Sequence, residues 1–341
     1  MNEKPLLEVE NLRVSFETPD GVVRAVNDVS FDVRPGETVG IVGESGSGKS
    51  VTASSILRLN SSVTATTSGS IRFDERDILS LDEEAMRGVR GQDIAMVFQD
   101  PLSALNPFYT VGDQIAEAYL VHHPKASKED VRSRVLSMLE KVGIPNPTKR
   151  IDEYPHEFSG GMRQRIVIAI ALINSPRLLI ADEPTTALDV TVQAQILDLM
   201  KDLQQETGMA IILITHDLGV VAEVADSALV MYGGRIVERS DVTTIFATPT
   251  HPYSWGLLGA VGSLDSSSRG HLATLPGTPP SLISLPDGCA FRPRCLFEEG
   301  PASRCATVVP ELRVIGSTSS HSACHLSDEQ LVSIGRKAGH A

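Results

Sequence analysis

An eight-residue glycine-rich segment is the strongest chemical signal in the sequence. Residues 43–50 read GESGSGKS, after an apolar run at residues 38–42 and before a segment of helical character. Glycines at these positions let backbone N–H groups turn inward onto phosphate oxygens at the positive end of the following helix. In this pattern Lys49 reaches the β- and γ-phosphates and Ser50 is a ligand of Mg²⁺. The segment therefore predicts a site for a nucleoside triphosphate.

Two acidic residues follow a second apolar run, at residues 178–181. Asp182, at the carboxyl end of a parallel strand, points into the crevice where such sheets bind ligands, and it can hold Mg²⁺ through water. Glu183 is placed to orient an attacking water or to accept its proton. An Asp-Glu pair after a strand is a weak signal alone and becomes strong beside a phosphate loop.

A second possible anion cradle lies at Ser159, Gly160 and Gly161, where a Ser-Gly-Gly turn precedes a helical pattern that runs to residue 173. Alone, this turn is best explained as a helix N-cap with a flexible entry. One nucleotide does not need two cradles. The order of motifs changes the interpretation, because Gln99 precedes the turn and Asp189 and His216 follow Glu183 along the chain.

The elements that must position these residues are predicted by periodicity. Apolar and polar residues alternate over residues 6–33, which predicts an antiparallel sheet with hairpins. The pattern of residues 79–160 is mostly helical. Residues 160–240 alternate helix and strand, which favours a parallel sheet with helices on both faces. A shift to Pro, Gly, Ser and Cys predicts a boundary that separates a domain at 1–247, with a helical subdomain at about 100–160, from an extension at 248–341.

Composition excludes some classes of function. The chain has 43 acidic and 30 basic residues, a formal charge of −13, which disfavours general attraction to nucleic acid. Its apolar runs are far shorter than the roughly 20 residues of a membrane-spanning helix. The first ten residues do not have the pattern of a signal peptide, so we expect a cytoplasmic protein.

Taken together, the motifs resemble the nucleotide-binding subunit of ATP-binding cassette (ABC) transporters over about residues 6–245. The resemblance implies an α/β phosphate-loop ATPase core with a parallel sheet, an antiparallel N-terminal subdomain and a helical insertion. In such proteins two subunits face each other head to tail, and the Ser-Gly-Gly signature of one grips the γ-phosphate bound by the other. The signature here is Phe-Ser-Gly-Gly-Met, whereas the commoner form begins with Leu and ends with Gln.

The resemblance assigns a role to each motif. It makes Phe16 the ring that stacks on adenine, Gln99 the Q-loop residue, Asp189 the D-loop residue and His216 the switch histidine. Catalysis is assigned to Glu183, His216 and Gln99, and Mg²⁺ to Ser50, Gln99 and Asp182. The residues expected to contact ATP are Phe16, Gly43, Ser45, Gly46, Ser47, Gly48, Lys49, Ser50, Val51, Ser159, Gly160, Gly161, Asp182 and Asp189.

Motifs beyond the cassette resemble one branch of this family, the oligopeptide and dipeptide importer ATPases. They are Pro-Thr-His-Pro-Tyr at 249–253, Leu-Pro-Gly-Thr-Pro-Pro at 275–280 and the segment GCAFRPRC at 288–295. The branch implies a peripheral subunit on the cytoplasmic face of the inner membrane. It works with a second ATPase, different or identical, two permease chains and an external substrate-binding protein. The branch also imports nickel, glutathione and some sugars, so the solute stays open.

All four cysteines lie in the extension, at Cys289, Cys295, Cys305 and Cys324. In a reducing compartment such a group is typical of a metal or redox site. Four thiolates match a [4Fe–4S] cluster, which members of the resembling branch can carry, although the spacing C-x₅-C-x₉-C-x₁₈-C is not a C-x-x-C pattern. Zinc is the main alternative, with His321 and His325 close to Cys324 in sequence, and unligated thiols are the third.

Two other functions are alternatives to transport. A soluble ABC ATPase that acts on nucleic acid or ribosomes would carry two cassettes, long coiled coils or basic arms, and the sequence has one cassette and no sustained heptads. A small-molecule kinase with the same phosphate loop would have no use for a second Ser-Gly-Gly cradle. We therefore expect an importer ATPase that binds no nucleic acid.

Overall fold

The computed structural model describes residues 4–99, 104–186, 188–262, 275–297, 303–316 and 318–338, with side chains left out at 260–262. Its strands are β1 Leu7–Thr18, β2 Gly21–Val33, β3 Thr38–Val42, β4 Ala65–Phe73, β5 Arg76–Asp77, β6 Ile94–Val97, β7 Leu178–Asp182, β8 Ala210–Thr215, β9 Ser227–Tyr232, β10 Arg235–Asp241, β11 Arg313–Val314 and β12 His321–Ser322. Its helices are α1 Lys49–Ile56, α2 Glu83–Val89, α3 Val111–Leu120, α4 Lys128–Lys141, α5 Pro147–Arg150, α6 Gly160–Leu172, α7 Val190–Thr207, α8 Leu218–Val224, α9 Val242–Ala247, α10 Pro252–Gly262, α11 Arg304–Thr307 and α12 Asp328–Ala338.

The chain divides into two compact units. The first is built on Arg34–Glu37 and Ser80–Ile214, and the second on Pro5–Val33, Thr38–Leu79 and the residues from Thr215 onward. Both units therefore combine segments that are distant in sequence.

The first unit carries a parallel arrangement of β6, β7 and β8, in which Ile94 pairs with Leu178 and Leu178 with Ala210. Every residue of β7 and β8 is buried. Burial on both faces explains why these strands are continuous apolar runs in the sequence instead of alternating ones. Helices α3, α4 and α5 lie in the stretch that periodicity predicts to be mostly helical.

The second unit contains an antiparallel sheet in the order β2-β1-β4-β5. It also contains β3 paired in parallel with β9, and β9 paired antiparallel with β10. The predicted fold class is confirmed in its parallel core strands and its antiparallel N-terminal sheet. The segment of helical character predicted after the glycine-rich loop forms α1, which ends at Ile56 because Arg58 adopts a left-handed φ of 51° that stops the helical turn.

Buried polar contacts attach the residues after α9 to β10. Glu238 is fully buried, and it accepts hydrogen bonds from the Thr250 N–H at 2.5 Å, the Thr250 hydroxyl at 2.9 Å and the His251 N–H at 3.0 Å. Burial raises the pKa of Glu238 to about 7 and lowers the pKa of His251 to about 3. The His251 ring is therefore neutral, and its Nδ1 accepts from the Tyr253 N–H at 3.1 Å.

Candidate nucleotide-binding site

The glycine-rich loop has a backbone that only glycine adopts readily. Gly43, Gly46 and Gly48 have φ angles of 153°, 77° and 102°. A Cβ on Gly43 would lie 2.2 Å from the Met231 carbonyl oxygen, and one on Gly48 would lie 2.3 Å from the Ala25 carbonyl oxygen. Two of the three glycines are thus required by close backbone packing as well as by φ, since such distances exclude any side chain.

The lysine of the motif points back into this loop. Lys49 is 5% exposed, and its Nζ donates to the carbonyl oxygens of Gly43 at 2.7 Å and Glu44 at 3.0 Å. Helix α1 begins after Gly48 without a side-chain cap. Within the described part of the chain, the buried Ser47 hydroxyl has no hydrogen-bond partner. An uncapped helix start, a buried ammonium and an unsatisfied hydroxyl are together suited to an anion.

The register of two parallel strands brings Gln99 to Glu183. Val97 of β6 pairs with Ala181 of β7, and each of the two polar residues comes two positions after its member of that pair. Their side chains meet, with Gln99 Nε2 donating to Glu183 Oε2 at 3.0 Å. The Thr186 hydroxyl donates to the same oxygen at 2.8 Å. Glu183 has a left-handed φ of 48°, held by its N–H bond to the Ile214 carbonyl at 2.9 Å.

The predicted Mg²⁺ ligands have the chemistry that this ion prefers. Asp182 is the last residue of β7 and is 6% exposed, whereas Ser50, in the first turn of α1, is exposed. Carboxylate, hydroxyl and amide oxygens are hard donors, as Mg²⁺ requires. The residues therefore fit the ion in kind.

The Ser-Gly-Gly turn is a helix start whose first two residues are exposed. Ser159 caps α6 by accepting from the Met162 N–H at 3.4 Å, and Ser159 and Gly160 are exposed. A Cβ on Gly161 would lie 2.5 Å from Val192 Cγ1, so this glycine allows α6 to approach α7. Asp189 caps α7 by accepting from the Val192 N–H at 3.0 Å. The helix-cap function expected of this turn is present, and its role toward a nucleotide stays a prediction.

Phe16 and His216 are two further residues that the resemblance assigns to ATP. Phe16 is half-buried on β1, opposite Val23 and Ala65, so it does not belong to the fully buried core. His216 is exposed directly after β8. Their assigned contacts are with ATP, and those assignments stay predictions.

The four cysteines interact with one another. Burial is the main cause that raises the pKa of Cys289 to about 12, and Cys305, Cys324 and Cys295 contribute in the same direction. Burial likewise raises the pKa of Cys324 to about 11. The Cys289 N–H donates to the Cys305 carbonyl at 2.9 Å. As the side chains are placed, no group of three or more His, Cys, Asp or Glu residues in the described ranges is arranged to hold a metal ion.

Sequence reasoning missed two residues that contact the phosphate loop. The Arg294 guanidinium donates to both carboxylate oxygens of Glu44, and the Glu44 N–H donates to the Tyr253 hydroxyl at 2.9 Å. Its ion pair with Glu44 raises the pKa of Arg294 above its usual range. Both residues lie within motifs of the extension, but no local pattern connects them to a loop that is more than 200 residues earlier.

The fold and the loop define a phosphate-loop nucleoside triphosphatase, and comparison with known proteins gives its family. Residues 26–186 match the family model of the ABC transporter, and residues 237–300 match the model of the oligopeptide/dipeptide transporter C-terminal region. The dipeptide transport ATP-binding protein DppD of Bacillus subtilis is 57% identical over 291 residues, which cover 85% of this chain and 86% of DppD. The oligopeptide transport ATP-binding protein OppD of the same organism is 55% identical over 293 residues, which cover 86% and 82% of the two chains.

Solved structures agree with this assignment. The ATP-binding cassette MJ0796, in a dimeric post-hydrolysis state bound to ADP and Pi, superposes with a TM-score of 0.62 at 27% identity, over 69% of this chain and 98% of that one. The chain therefore belongs to the ABC transporter ATPases, and it is an enzyme that hydrolyses ATP. The nucleic-acid alternative finds no support among these relatives. None of the helices in the described ranges has the length and apolarity needed to cross a membrane.

The loop geometry gives a stability prediction that needs no nucleotide. We expect Gly48→Ala to lower the free energy of unfolding by about 3 kcal/mol or more, because its Cβ would overlap a backbone carbonyl. Gly46→Ala is the matched control: its φ of 77° is also left-handed, but no atom lies within 4 Å of the added Cβ. There we expect only the conformational cost of about 1 kcal/mol. Thermal unfolding of the nucleotide-free proteins measures both, and equal losses would contradict the packing argument.

Proposed function

We propose that this chain is the ATP-binding subunit of an importer for peptides or a related small solute. The observation that carries the proposal is the pair of relatives, more than half identical, that are named for dipeptide and oligopeptide transport. The match of residues 237–300 to the transporter C-terminal region supports the same branch. We further propose that residues 1–247 form the nucleotide-binding domain, with a helical subdomain at about 100–160, and that residues 248–341 form the extension.

ATP binding in this proposal depends on the loop at residues 43–50, with Phe16 stacking on the adenine. Lys49 is held by two carbonyl oxygens of its own loop, and we expect it to exchange them for β- and γ-phosphate oxygens. The backbone N–H groups at the start of α1 and the Ser47 hydroxyl would bind the remaining phosphate oxygens. Ser50, Asp182 and Gln99 would hold Mg²⁺, which neutralises phosphate charge when bound.

Glu183 is the proposed general base for the attacking water. Gln99 and Thr186 both donate to its Oε2, so the carboxylate is oriented from two sides before any nucleotide arrives. Such orientation is valuable because a base must lie within hydrogen-bonding reach of the proton it accepts. His216 is proposed to contact the γ-phosphate from the turn after β8.

The second anion cradle supports a shared active site. Ser159, Gly160 and Gly161 are proposed to contact the γ-phosphate bound by a second ATPase subunit, identical or paralogous, and Asp189 is proposed to lie at the same interface. The dimeric state named for MJ0796, bound to ADP and Pi, supports this arrangement. Contacts completed only in the closed pair would gate hydrolysis by assembly.

Two substitutions separate nucleotide binding from turnover. We expect Lys49→Ala to weaken MgATP binding strongly, because the ammonium neutralises ground-state phosphate charge. We expect Glu183→Gln to keep MgATP affinity, stop turnover and remain as a dimer, with itself or its partner ATPase, during gel filtration in MgATP. Binding titrations, ATPase rates and elution volumes measure these effects.

The controls are a lysine and a glutamate that pair with each other on the surface. Lys141 and Glu206 form an ion pair in which their side chains are 41% and 55% exposed. Lys141→Ala and Glu206→Gln should leave MgATP affinity and turnover close to those of the original protein. Equal loss of ATP affinity in Lys49→Ala and Glu183→Gln would refute the division of roles.

A groove in the first unit supports docking of permease chains. It has a volume of about 860 Å³, and its lining includes Tyr109, Gln114 and Val121. Gln114 fixes the rim, because its Nε2 donates to the carbonyl oxygens of Asn106 and Tyr109 at 3.0 Å each. Of the groove's lining residues, Tyr109 and Val121 are 57% and 70% exposed, and Phe108, the chain neighbour of Tyr109, is 84% exposed. Exposed apolar side chains on a fixed loop are typical of a surface that binds a partner.

Charge placed in this groove should release the permease. We expect Tyr109→Asp to reduce co-purification with the two permease chains at least tenfold, since it would bury a carboxylate in an apolar contact. MgATP affinity should be unchanged. Val63→Asp, at a 90% exposed side chain outside the groove lining, is the control and should co-purify normally. Normal co-purification of Tyr109→Asp would exclude this groove as the docking site.

The cysteines are proposed to hold a [4Fe–4S] cluster that stabilises the extension. Mutual electrostatic interaction among Cys289, Cys295, Cys305 and Cys324 supports a common site. Backbone N–H groups favour the thiolate form, from Phe291 toward Cys289 and from Leu326 and His325 toward Cys324. Their raised pKa values mean that ligand binding would displace protons from the thiols.

Iron analysis distinguishes this cluster from zinc. Anaerobically purified protein should be brown, with iron and acid-labile sulfide each at about four per chain. Cys295→Ser should lose both, whereas His325→Ala should retain both because an all-cysteine cluster does not use that ring. Colourless anaerobic protein with stoichiometric zinc would rule the cluster out.

A further inference from the structure

Glu44 is the most heavily constrained residue of the phosphate loop. Its carboxylate accepts from Arg294 Nη1 at 2.6 Å and Nη2 at 3.0 Å, its N–H donates to the Tyr253 hydroxyl at 2.9 Å, and its carbonyl accepts from Lys49 at 3.0 Å. The side chain, the N–H and the carbonyl of one residue are thus all held. Three of these four hydrogen bonds are made with two residues of the C-terminal extension, Arg294 and Tyr253.

Arg294 is itself fixed before it reaches the loop. Its side chain is 4% exposed, and its Nε donates to the Pro276 carbonyl at 2.7 Å. The guanidinium lies 5.8 Å from the centre of the Tyr232 ring. A planar guanidinium that is held at Nε presents its two terminal nitrogens in one direction, which suits bidentate pairing with a carboxylate.

Tyr253 is equally rigid. It is fully buried, and its ring centre lies 4.7 Å from that of Tyr232 and 5.5 Å from that of Phe291. Phe291 belongs to the same cysteine-bounded segment as Arg294. The extension therefore presents a packed aromatic platform and one buried cation to the loop.

The charge of Glu44 gives this contact a consequence for nucleotide binding. A carboxylate in a loop that cradles a triphosphate repels the ligand unless a cation neutralises it and holds it in place. We infer that Arg294 and Tyr253 are positioning residues that hold Glu44, so that the C-terminal extension sets the ATP affinity of the phosphate loop. This inference rests on the proposed nucleotide site at residues 43–50.

The test is a charge-rescue experiment with binding and turnover measured separately. Arg294→Gln should raise the Kd for MgATP about tenfold, the effect of roughly one lost charge-assisted interaction, and change kcat less than about threefold. Adding Glu44→Gln to Arg294→Gln should return the Kd to within about threefold of the original, because the repelling charge is gone. General damage to the fold would not be repaired by a second substitution in the loop.

A matched control removes another arginine of the extension. Arg313 pairs with Asp328 and donates to the Leu326 carbonyl at 2.8 Å, all within the extension. Arg313→Gln should leave the MgATP Kd unchanged. Tyr253→Phe keeps the aromatic packing and deletes only the hydroxyl that accepts from Glu44. Tyr253→Phe should raise the MgATP Kd about threefold to tenfold and retain kcat. It is the variant to use if Arg294→Gln does not fold.

The outcomes separate this inference from the proposed function. Original protein that fails to bind MgATP would refute the nucleotide site itself. Original protein that binds MgATP, with an unchanged Kd in Arg294→Gln or in Tyr253→Phe, would overturn the positioning role and leave the site intact. If the Kd is raised in Arg294→Gln and the added Glu44→Gln does not lower it again, the contact would serve only the stability of the fold. That result would overturn the inference as well.

Discussion

Close packing of the phosphate-loop backbone is the constraint on which the rest of this molecule depends. Carbonyl oxygens of Ala25 and Met231 lie where side chains at Gly48 and Gly43 would project, so the loop has little freedom of position. That packing aims the Lys49 ammonium at the loop interior and leaves the first turn of α1 uncapped. Both features add positive potential at one place, where a polyanion is stabilised.

The position of the Glu183 carboxylate depends on a different feature, the register of β6 and β7. Glu183 occupies a left-handed conformation, which costs a residue other than glycine about 1 kcal/mol or more, and contacts with its neighbours offset this cost. Here the Ile214 carbonyl, Thr186 and Gln99 hold it. Gln99 comes two residues after the end of β6, so the position of this strand end also sets the position of one donor to the carboxylate.

Buried polar contacts attach the extension to the rest of its unit, in addition to its apolar packing. Glu238, Thr250 and His251 form a desolvated network against β10, and Arg294 is a buried cation paired to the loop. Such groups are costly when one partner is lost, because a buried donor or charge is then left uncompensated. An extension attached in this way cannot shift without cost, which suits a segment that contacts a ligand-binding loop.

The sequence alone indicated the fold class, from the periodicity of long segments and the order of motifs. It also located the phosphate loop, the Asp182-Glu183 pair and the helix start at Ser159, because each of these rests on contiguous residues whose spacing is itself the chemical requirement. The contact between Gln99 and Glu183 followed only from the register of β6 and β7, which motif order does not encode. The Arg294–Glu44 pair, 250 residues apart, could not be predicted from sequence patterns either. Periodicity and spacing report local structure, whereas pairing between distant side chains is decided by how the chain packs. For the cysteines, the sequence supplied their number, and packing placed Cys305, Cys324 and Cys295 near enough to Cys289 to affect its pKa.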